Sequence, residues 1–123
     1  MPAVYVLRSG KDDLFKIGRA KDVEARRKHL STGNPQPLTI FDVIETEYAR
    51  DCETYLHRCL RSKRSRRSDA QEFYEVDPAY LGREILRGAR DFVAFLPTRG
   101  VAERLAKEHA VRGRSVSRKR SRP

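Results

Sequence analysis

Two short stretches of alternating apolar and polar residues near the start of the chain constrain its fold more than any other feature. The segments 3–7 (AVYVL) and 14–18 (LFKIG) have the two-residue period of β-strands. Between them, Gly10 and a pair of aspartates supply the residues that tight turns prefer. The sequence therefore predicts an antiparallel hairpin. Each strand also carries one polar side chain, Tyr5 in the first and Lys16 in the second, and this needs an explanation.

Three further segments complete a small α+β domain. A helix is predicted to begin after Asp22, a good N-cap residue, and to end at Gly33 and Pro35. Residues 37–45 (PLTIFDVIE) are rich in β-branched and aromatic side chains and predict a third strand. Residues 49–62 have apolar side chains at helical spacing and predict a second helix. We therefore expect a three-stranded antiparallel sheet flanked by helices.

The C-terminal part of the chain is predicted to be helical and then disordered. Two weaker helical patterns cover residues 78–96 and 99–111. Serine and arginine dominate residues 112–123, a composition typical of disordered segments. The expected organisation is a core domain at 1–77, a helical extension at 78–111 and a disordered basic tail after it.

Positive charge is concentrated in two tracts. The chain of 123 residues has a net charge of +10, from 27 Lys and Arg against 17 Asp and Glu. Five basic residues lie within 61–67 and six within 112–123, so the remaining 16 nearly balance the acids. Concentrated Lys and Arg suit a nucleic-acid partner, because neutralising phosphates releases condensed counterions. Each tract taken alone is equally compatible with a solvated loop or a disordered tail.

The composition argues against a membrane protein and against a disulfide-stabilised one. No window approaches the 18 or so apolar residues of a membrane span, and the N-terminus lacks the pattern of a signal peptide. Cys52 and Cys59 are seven residues apart in one predicted helix, about 10 Å along its axis, which is too far for a disulfide. We expect two core thiols in a cytoplasmic protein, associated with the nucleoid if it binds DNA. The sequence leaves the oligomeric state open, with a monomer as the default.

Polar residues interrupt the apolar faces of both predicted helices. In the first helix, Arg26 and Arg27 fall between apolar residues, so one guanidinium should point toward the sheet. It then needs an anionic partner, either a phosphate or an internal carboxylate, unless it reaches back to solvent. In the second helix, Glu53 and His57 lie four residues apart at one edge of the apolar stripe. This pair can share a metal, a proton or each other, and a plain helix-surface contact is the commoner explanation.

Four short motifs, taken together in this order, resemble the GIY-YIG nuclease superfamily. AVY at 3–5 stands where the superfamily has Gly-Ile-Tyr, and KIG at 16–18 stands where it has Tyr-Ile-Gly. Arg26 lies eight residues beyond the second motif, like the superfamily's helix arginine. CETYLH at 52–57 is similar to the phage-type branch, which has Glu-x-x-x-His in the later helix and Lys-Ile-Gly as its second motif. QEFYEV at 71–76 is similar to the segment with which that branch often ends.

The resemblance implies hydrolysis of DNA phosphodiesters with one divalent metal, Mg²⁺ or Mn²⁺. It implies that Glu53 binds the metal and that Arg26 stabilises charge on the phosphoryl oxygens. Tyr5 would orient or deprotonate the attacking water, and His57 would be a second general acid or base. Lys16, which replaces the second tyrosine of the superfamily, would hold a phosphate or lower the pKa of Tyr5.

These implications define an expected site and its alternatives. Tyr5, Lys16, Arg26, Glu53 and His57 should line one concave surface, unless Tyr5 and Lys16 are simply polar residues on the wet face of a half-exposed sheet. The basic residues expected to bind DNA are Arg19, Arg27, Arg61, Lys63, Arg64, Arg66, Arg67, Arg114, Arg118, Lys119 and Arg120. The alternative function is a non-catalytic nucleic-acid-binding module that keeps the fold. A third hypothesis is a protein-interaction domain with a nonspecific basic tail.

Overall fold

A four-stranded antiparallel sheet forms the centre of the fold. The structure is a computed structural model that describes residues 1–33, 36–65 and 72–97. Its strands are β1 (Ala3–Ser9), β2 (Leu14–Ala20), β3 (Leu38–Glu45) and β4 (Tyr74–Glu75). They are arranged in the order β3-β1-β2-β4. The predicted α+β class and antiparallel sheet are confirmed, and the sheet has one short strand more than the three we expected.

β1 and β2 form the predicted hairpin, and its register decides which side chains share a face. Gly10 lies in the turn with a φ of 55°, a left-handed conformation that glycine adopts without a Cβ clash. Tyr5 is paired with Gly18, and Leu7 is paired with Lys16. Because successive residues of a strand point to opposite faces, these four residues all lie on the same face of the sheet.

The face that carries Tyr5 is covered by α1 (Val23–Ser31), and we call it the α1 face. The helix begins after Asp22 as predicted, because the Asp22 carboxylate accepts a hydrogen bond from the Ala25 amide at 3.0 Å. A small cluster of buried side chains lies beneath it. The cluster consists of Tyr5, Leu7, Leu14, Leu38 and Phe73, with Val23 and Leu30 of α1 packed against it.

The opposite face is covered by α2 (Ala49–Cys59), and we call it the α2 face. Ala49, Cys52 and Leu56 of this helix pack against Val4 and Val6 of β1 in the larger of the two core clusters. These two valines flank Tyr5 in sequence, so the alternation of the strand directs them away from the α1 face. α2 therefore lies on the side of the sheet opposite to the Tyr5 ring.

The cysteines of α2 are both free, but they differ in burial. Cys52 is buried, and burial raises the pKa of its thiol to about 11. Cys59 is exposed, so the prediction of two core thiols is wrong for this residue. At 100° per residue, Cys59 lies about 80° from Ala49 and about 60° from Leu56 around the helix axis, and it is the last residue of α2.

The segment after β4 is helical, and its part within the first 93 residues belongs to the same core. It consists of a short α-helix, α3 (Pro78–Tyr80), a π-helical stretch (Leu81–Leu86) and further α-helix over residues 87–97. Leu81, Ile85, Leu86 and Ala89 contribute to the larger core cluster.

The chain divides into two compact units, residues 1–93 and 94–123. The first unit contains the sheet, the helices that cover it and both core clusters. Within the second unit, residues 94–97 are helical. The predicted helix at 99–111 and the predicted basic tail beyond it lie outside the described residues.

A close contact across β1 and β2 depends on the absence of a side chain at residue 18. A Cβ added to Gly18 would overlap the hydroxyl and Cζ of Tyr5 and would lie 3.0 Å from its Cε1. The phenol ring therefore lies directly over the Gly18 backbone. The glycine of the KIG motif is thus required by packing.

Replacing Gly18 with alanine should lower the free energy of unfolding by about 1–3 kcal/mol, as overpacking a core typically does. Urea unfolding measures this decrease. Gly82→Ala is the matched control, because a Cβ there meets nothing within 4 Å and an alanine in a helical segment should be neutral or stabilising. Combining Gly18→Ala with Tyr5→Leu should recover part of the stability, and a Gly18→Ala protein as stable as the wild type would contradict the packing.

Candidate functional site

The polar edge of α2 carries an acidic and a basic side chain in contact. One carboxylate oxygen of Glu53 accepts a hydrogen bond from Nε of Arg19 at 2.9 Å, and the other lies 3.5 Å from Nε2 of His57. Glu53 and His57 are neighbours because residues four apart lie on one side of a helix. Arg19 reaches them from β2, where its pairing with Val4 places it on the α2 face.

His57 is held on its other side by a chain of hydrogen bonds. Its Nδ1 lies 2.6 Å from the hydroxyl of Tyr74, which donates a hydrogen bond to the Glu72 carboxylate at 3.1 Å. Burial, assisted by the nearby Glu72, raises the pKa of Tyr74 to about 12. Nε of Arg64 lies 3.7 Å from the same Glu72 oxygen. This series of side-chain contacts therefore connects the polar edge of α2 to the basic tract at 61–67.

Sequence reasoning did not select Tyr74 or Glu72 as site residues. They lie in the segment QEFYEV, which we used only as a resemblance. The sequence signal that could have identified them is the order Glu-Phe-Tyr. In a short extended segment, this order places Glu72 and Tyr74 on the same side of the backbone and Phe73 on the other. The contact with His57, 17 residues away, is tertiary and has no sequence signature.

An open pocket of about 390 Å³ lies beside His57. Its lining also includes Arg61, Arg64, Glu72 and Tyr74. The volume lies within the range of small-ligand sites. The structure thus brings two arginines of the first basic tract, which were expected to bind nucleic acid, next to the imidazole.

Lys16 and Arg26 form a second cationic group near this site. Burial and the charge of Arg26 lower the pKa of Lys16, while Glu72 and Glu53 act in the opposite direction. Lys16 is therefore within electrostatic reach of acidic residues on the α2 side as well as of α1. Within the described ranges, neither Lys16 nor Arg26 forms a side-chain ion pair or hydrogen bond.

The expectation of one concave surface does not hold for Tyr5. The side chain is only 2% exposed and lies on the α1 face, whereas Glu53 belongs to the helix that covers the α2 face. The alternation of β1 is the physical reason, because Val4 and Val6 occupy the positions that point to α2. Tyr5 and Lys16 do share a face, as expected from their facing strands.

Arg27 is the arginine of α1 that points toward the sheet. Its Nη1 donates to the carbonyl of Leu38 at 3.0 Å and its Nε donates to Glu24 at 2.9 Å. The internal-carboxylate alternative is therefore correct for Arg27, while Arg26 is exposed. Of the other residues expected to bind DNA, Lys63 is an exposed residue of the short 3₁₀ helix Arg61–Lys63. Those outside the described residues are Arg66, Arg67, Arg114, Arg118, Lys119 and Arg120.

The acidic residues of the site fit a metal only in one way. The part of the chain that the structure describes contains no group of three His, Cys, Asp or Glu side chains close enough to hold a metal. Mg²⁺, however, keeps several waters and is commonly bound by one or two carboxylates together with substrate phosphates. Glu53 fits that pattern as a single protein ligand, provided that Arg19 gives way and a substrate supplies further oxygens.

The chain folds as a small α+β domain with a cluster of charged side chains beside its sheet, and a family model matches most of it. The family model of the T5orf172 domain matches residues 3–93, about three quarters of the chain. The chain therefore belongs to the T5orf172 domain family, a phage-associated domain related to nuclease-like folds. Comparisons with curated proteins and with solved structures find no significant match.

The family match and the structure delimit nearly the same segment. The matched residues end at Val93, the last residue of the first compact unit. Among the residues that the structure describes, no helix is long and apolar enough to cross a membrane.

Lys16→Met should raise the free energy of unfolding near neutral pH. The pKa of Lys16 in the folded protein lies below its ordinary value of 10.5, so the unfolded chain binds this proton more tightly and the charged lysine destabilises the fold. The gain from the substitution should shrink as the pH rises toward 10.5, where the lysine of the wild type loses its proton in both states.

Urea unfolding of both proteins between about pH 7 and pH 10 measures this difference. Lys21→Met is the control, because Lys21 is exposed and its replacement should have little effect at any pH. If the gain in free energy of unfolding for Lys16→Met does not change with pH, the lowered pKa of Lys16 in the folded protein is contradicted.

Proposed function

We propose that this protein is a metal-dependent DNA endonuclease that hydrolyses phosphodiester bonds at a GIY-YIG-type site centred on Glu53. One observation carries the proposal. A partly buried carboxylate, in contact with an imidazole, lies within electrostatic reach of a cation on the neighbouring strand that has no ion-pair partner among the described residues. Carboxylate, imidazole and unpaired cations are the groups that phosphodiester hydrolysis requires.

Glu53 is the proposed metal ligand. Its side chain is 24% exposed, so a hydrated cation can reach it. The pair with Arg19, whose side chain is 44% exposed, is a surface ion pair, and such pairs contribute only about 0–1 kcal/mol. A bound Mg²⁺ would polarise the phosphoryl oxygen and acidify a water. Because its ion pair with Arg19 is weak, the Glu53 carboxylate could exchange Arg19 for a metal ion.

Lys16 and Arg26 are the proposed phosphate ligands. Both cations are without an ion pair in the described part of the chain. Burial is the main cause of the lowered pKa of Lys16, and the positive charge of Arg26 adds to it. An anion bound between the two cations would relieve their repulsion. The Tyr5 hydroxyl has no hydrogen-bond partner among the described residues and lies on the same sheet face as Lys16. The Tyr5 side chain is only 2% exposed, so a phosphate would reach the hydroxyl only if the side chains around it moved. Its position on the α1 face does not suit action on a water at Glu53.

His57 is the proposed general base or acid. Its Nε2 faces the Glu53 carboxylate at 3.5 Å, so it lies beside the position where an attacking water would be held. Imidazole exchanges protons near neutral pH. The structure favours His57 over Tyr5 for proton transfer, since His57 and Glu53 belong to the same helix face.

DNA is the proposed substrate because of the charge distribution. Arg61 and Arg64 line the pocket next to His57, and a second basic tract lies at 112–123. The second candidate function is a non-catalytic nucleic-acid-binding module. The ion pair between Arg19 and Glu53 favours that alternative, because it neutralises the carboxylate that catalysis would use.

Glu53→Gln should reduce Mg²⁺-dependent nicking of plasmid DNA by at least about 100-fold, since an amide cannot replace a charged metal ligand. DNA affinity should stay within about threefold of the wild type, because the basic tracts are unchanged. Single-turnover nicking assays and DNA-binding titrations measure the two effects. Addition of EDTA to the wild type should have the same effect on nicking.

Glu84→Gln is the matched control, because it makes the same charge change at an exposed residue of the π-helical stretch. It should retain full activity. Nicking by Glu53→Gln at the wild-type rate would remove Glu53 from the mechanism. Tight DNA binding without nicking by the wild type, in Mg²⁺ or Mn²⁺, would support the non-catalytic module instead.

Deleting residues 112–123 should weaken DNA binding and flatten its dependence on salt. The deletion removes six basic residues, and each phosphate that the shortened chain no longer neutralises should reduce the slope of log K against log salt by about 0.9. Activity at saturating DNA should remain, because the proposed catalytic residues lie before this tract. An unchanged affinity and salt slope would show that the tract does not contact DNA.

A further inference from the structure

Tyr74 and Glu72 have no role in the proposed reaction, yet they form the most complete side-chain network of the site. Tyr74 is 2% exposed and its ring belongs to the larger core cluster. Its hydroxyl lies between Nδ1 of His57 at 2.6 Å and the Glu72 carboxylate at 3.1 Å. A rigid, buried ring thus presents one polar atom to an imidazole on a partly exposed helix face.

The direction of these hydrogen bonds follows from the groups themselves. An ionised carboxylate can only accept, so the Tyr74 hydroxyl donates its proton to Glu72. The raised pKa of Tyr74, about 12, keeps that proton on the hydroxyl at neutral pH. The hydroxyl oxygen can then only accept from His57, which requires a proton on Nδ1. In the neutral imidazole, Nε2 is therefore the nitrogen without a proton.

The other ring nitrogen is left unbound on the side of Glu53. Nε2 lies 3.5 Å from the nearer Glu53 oxygen, which is longer than a normal N–H···O hydrogen bond. Without Tyr74, nothing in this distance would prevent the ring from turning over or from placing its proton on Nε2. The contact with Tyr74 is the shorter and therefore the stronger constraint.

We propose that Tyr74, oriented by Glu72, is a positioning residue that holds His57 with its proton on Nδ1 and its free Nε2 toward Glu53. The inference rests on the proposed function for its consequence, which is that Nε2 is the nitrogen offered to the reacting water. The hydrogen-bond arrangement itself can be measured in the free protein. Glu72 does not contact His57 in this arrangement. It accepts the hydrogen bond that fixes the direction of the Tyr74 hydroxyl.

The test is Tyr74→Phe, which removes the hydroxyl and keeps the buried ring. ¹⁵N NMR of the His57 ring, recorded without DNA or metal at about pH 8, above the ordinary pKa of imidazole, identifies the protonated nitrogen. In the wild type, Nδ1 should carry the proton. In Tyr74→Phe, the Nε2-protonated form should become the major one. Tyr55→Phe, which removes a hydroxyl from α2 itself, is the control and should leave the spectrum of His57 unchanged.

A second readout uses the nicking reaction. Tyr74→Phe should lower kcat by about 10–100-fold, the usual effect of removing a group that orients a catalytic residue, while KM for DNA changes by less than about threefold. Circular dichroism and urea unfolding establish that the variant is folded. A wild-type spectrum with the proton on Nε2, or one that Tyr74→Phe leaves unchanged, overturns the inference.

The two proposals fail in distinguishable ways. If the NMR result is as expected but the wild type does not nick DNA in any divalent metal, the positioning contact stands and the endonuclease proposal fails. If the wild type nicks DNA and Glu53→Gln does not, but the NMR result is negative, the endonuclease proposal stands and the role of Tyr74 is rejected.

Discussion

The charged site depends on how little of β2 is covered by β4. Only Leu14 and Phe15 of β2 pair with that strand, so among the described residues the outer edge beyond them has no strand beside it. A sheet normally separates the side chains of its two faces. At an open edge, a long side chain can approach groups on the other side, and Lys16 is the first residue past the pairing. This position explains why Lys16 responds to Arg26 on one side and to Glu53 and Glu72 on the other.

Charge balance around Glu53 then determines what the site can do. In the absence of a ligand, Arg19 neutralises the carboxylate and His57 lies against it. The two partners are partly exposed, so the contacts are weak compared with those of a buried pair. Glu53 can therefore exchange the Arg19 guanidinium for a metal ion without any change in the core. The buried ring of Tyr74 supplies the rigidity that these exposed groups lack.

The sequence predicted the local parts of this arrangement and missed those that depend on tertiary packing. The two-residue period and Gly10 were sufficient for the hairpin, and the spacing of Glu53 and His57 was sufficient for their contact. The side of the sheet on which α2 packs depends on the whole core, so the separation of Tyr5 from Glu53 could not be derived from either motif. β4 has two residues, too few for any periodicity to reveal it.

The most direct test of a metal site at Glu53 beside a bound phosphate is a crystal structure with Mn²⁺ and a short duplex of uncleavable phosphorothioate DNA, with anomalous scattering used to locate the metal. We expect an anomalous peak about 2.1 Å from a Glu53 carboxylate oxygen, with Arg19 displaced. We also expect a backbone phosphate in contact with Lys16 and Arg26. A metal bound away from Glu53, or DNA bound with the Arg19–Glu53 pair intact and no phosphate at Lys16, would contradict the proposed site.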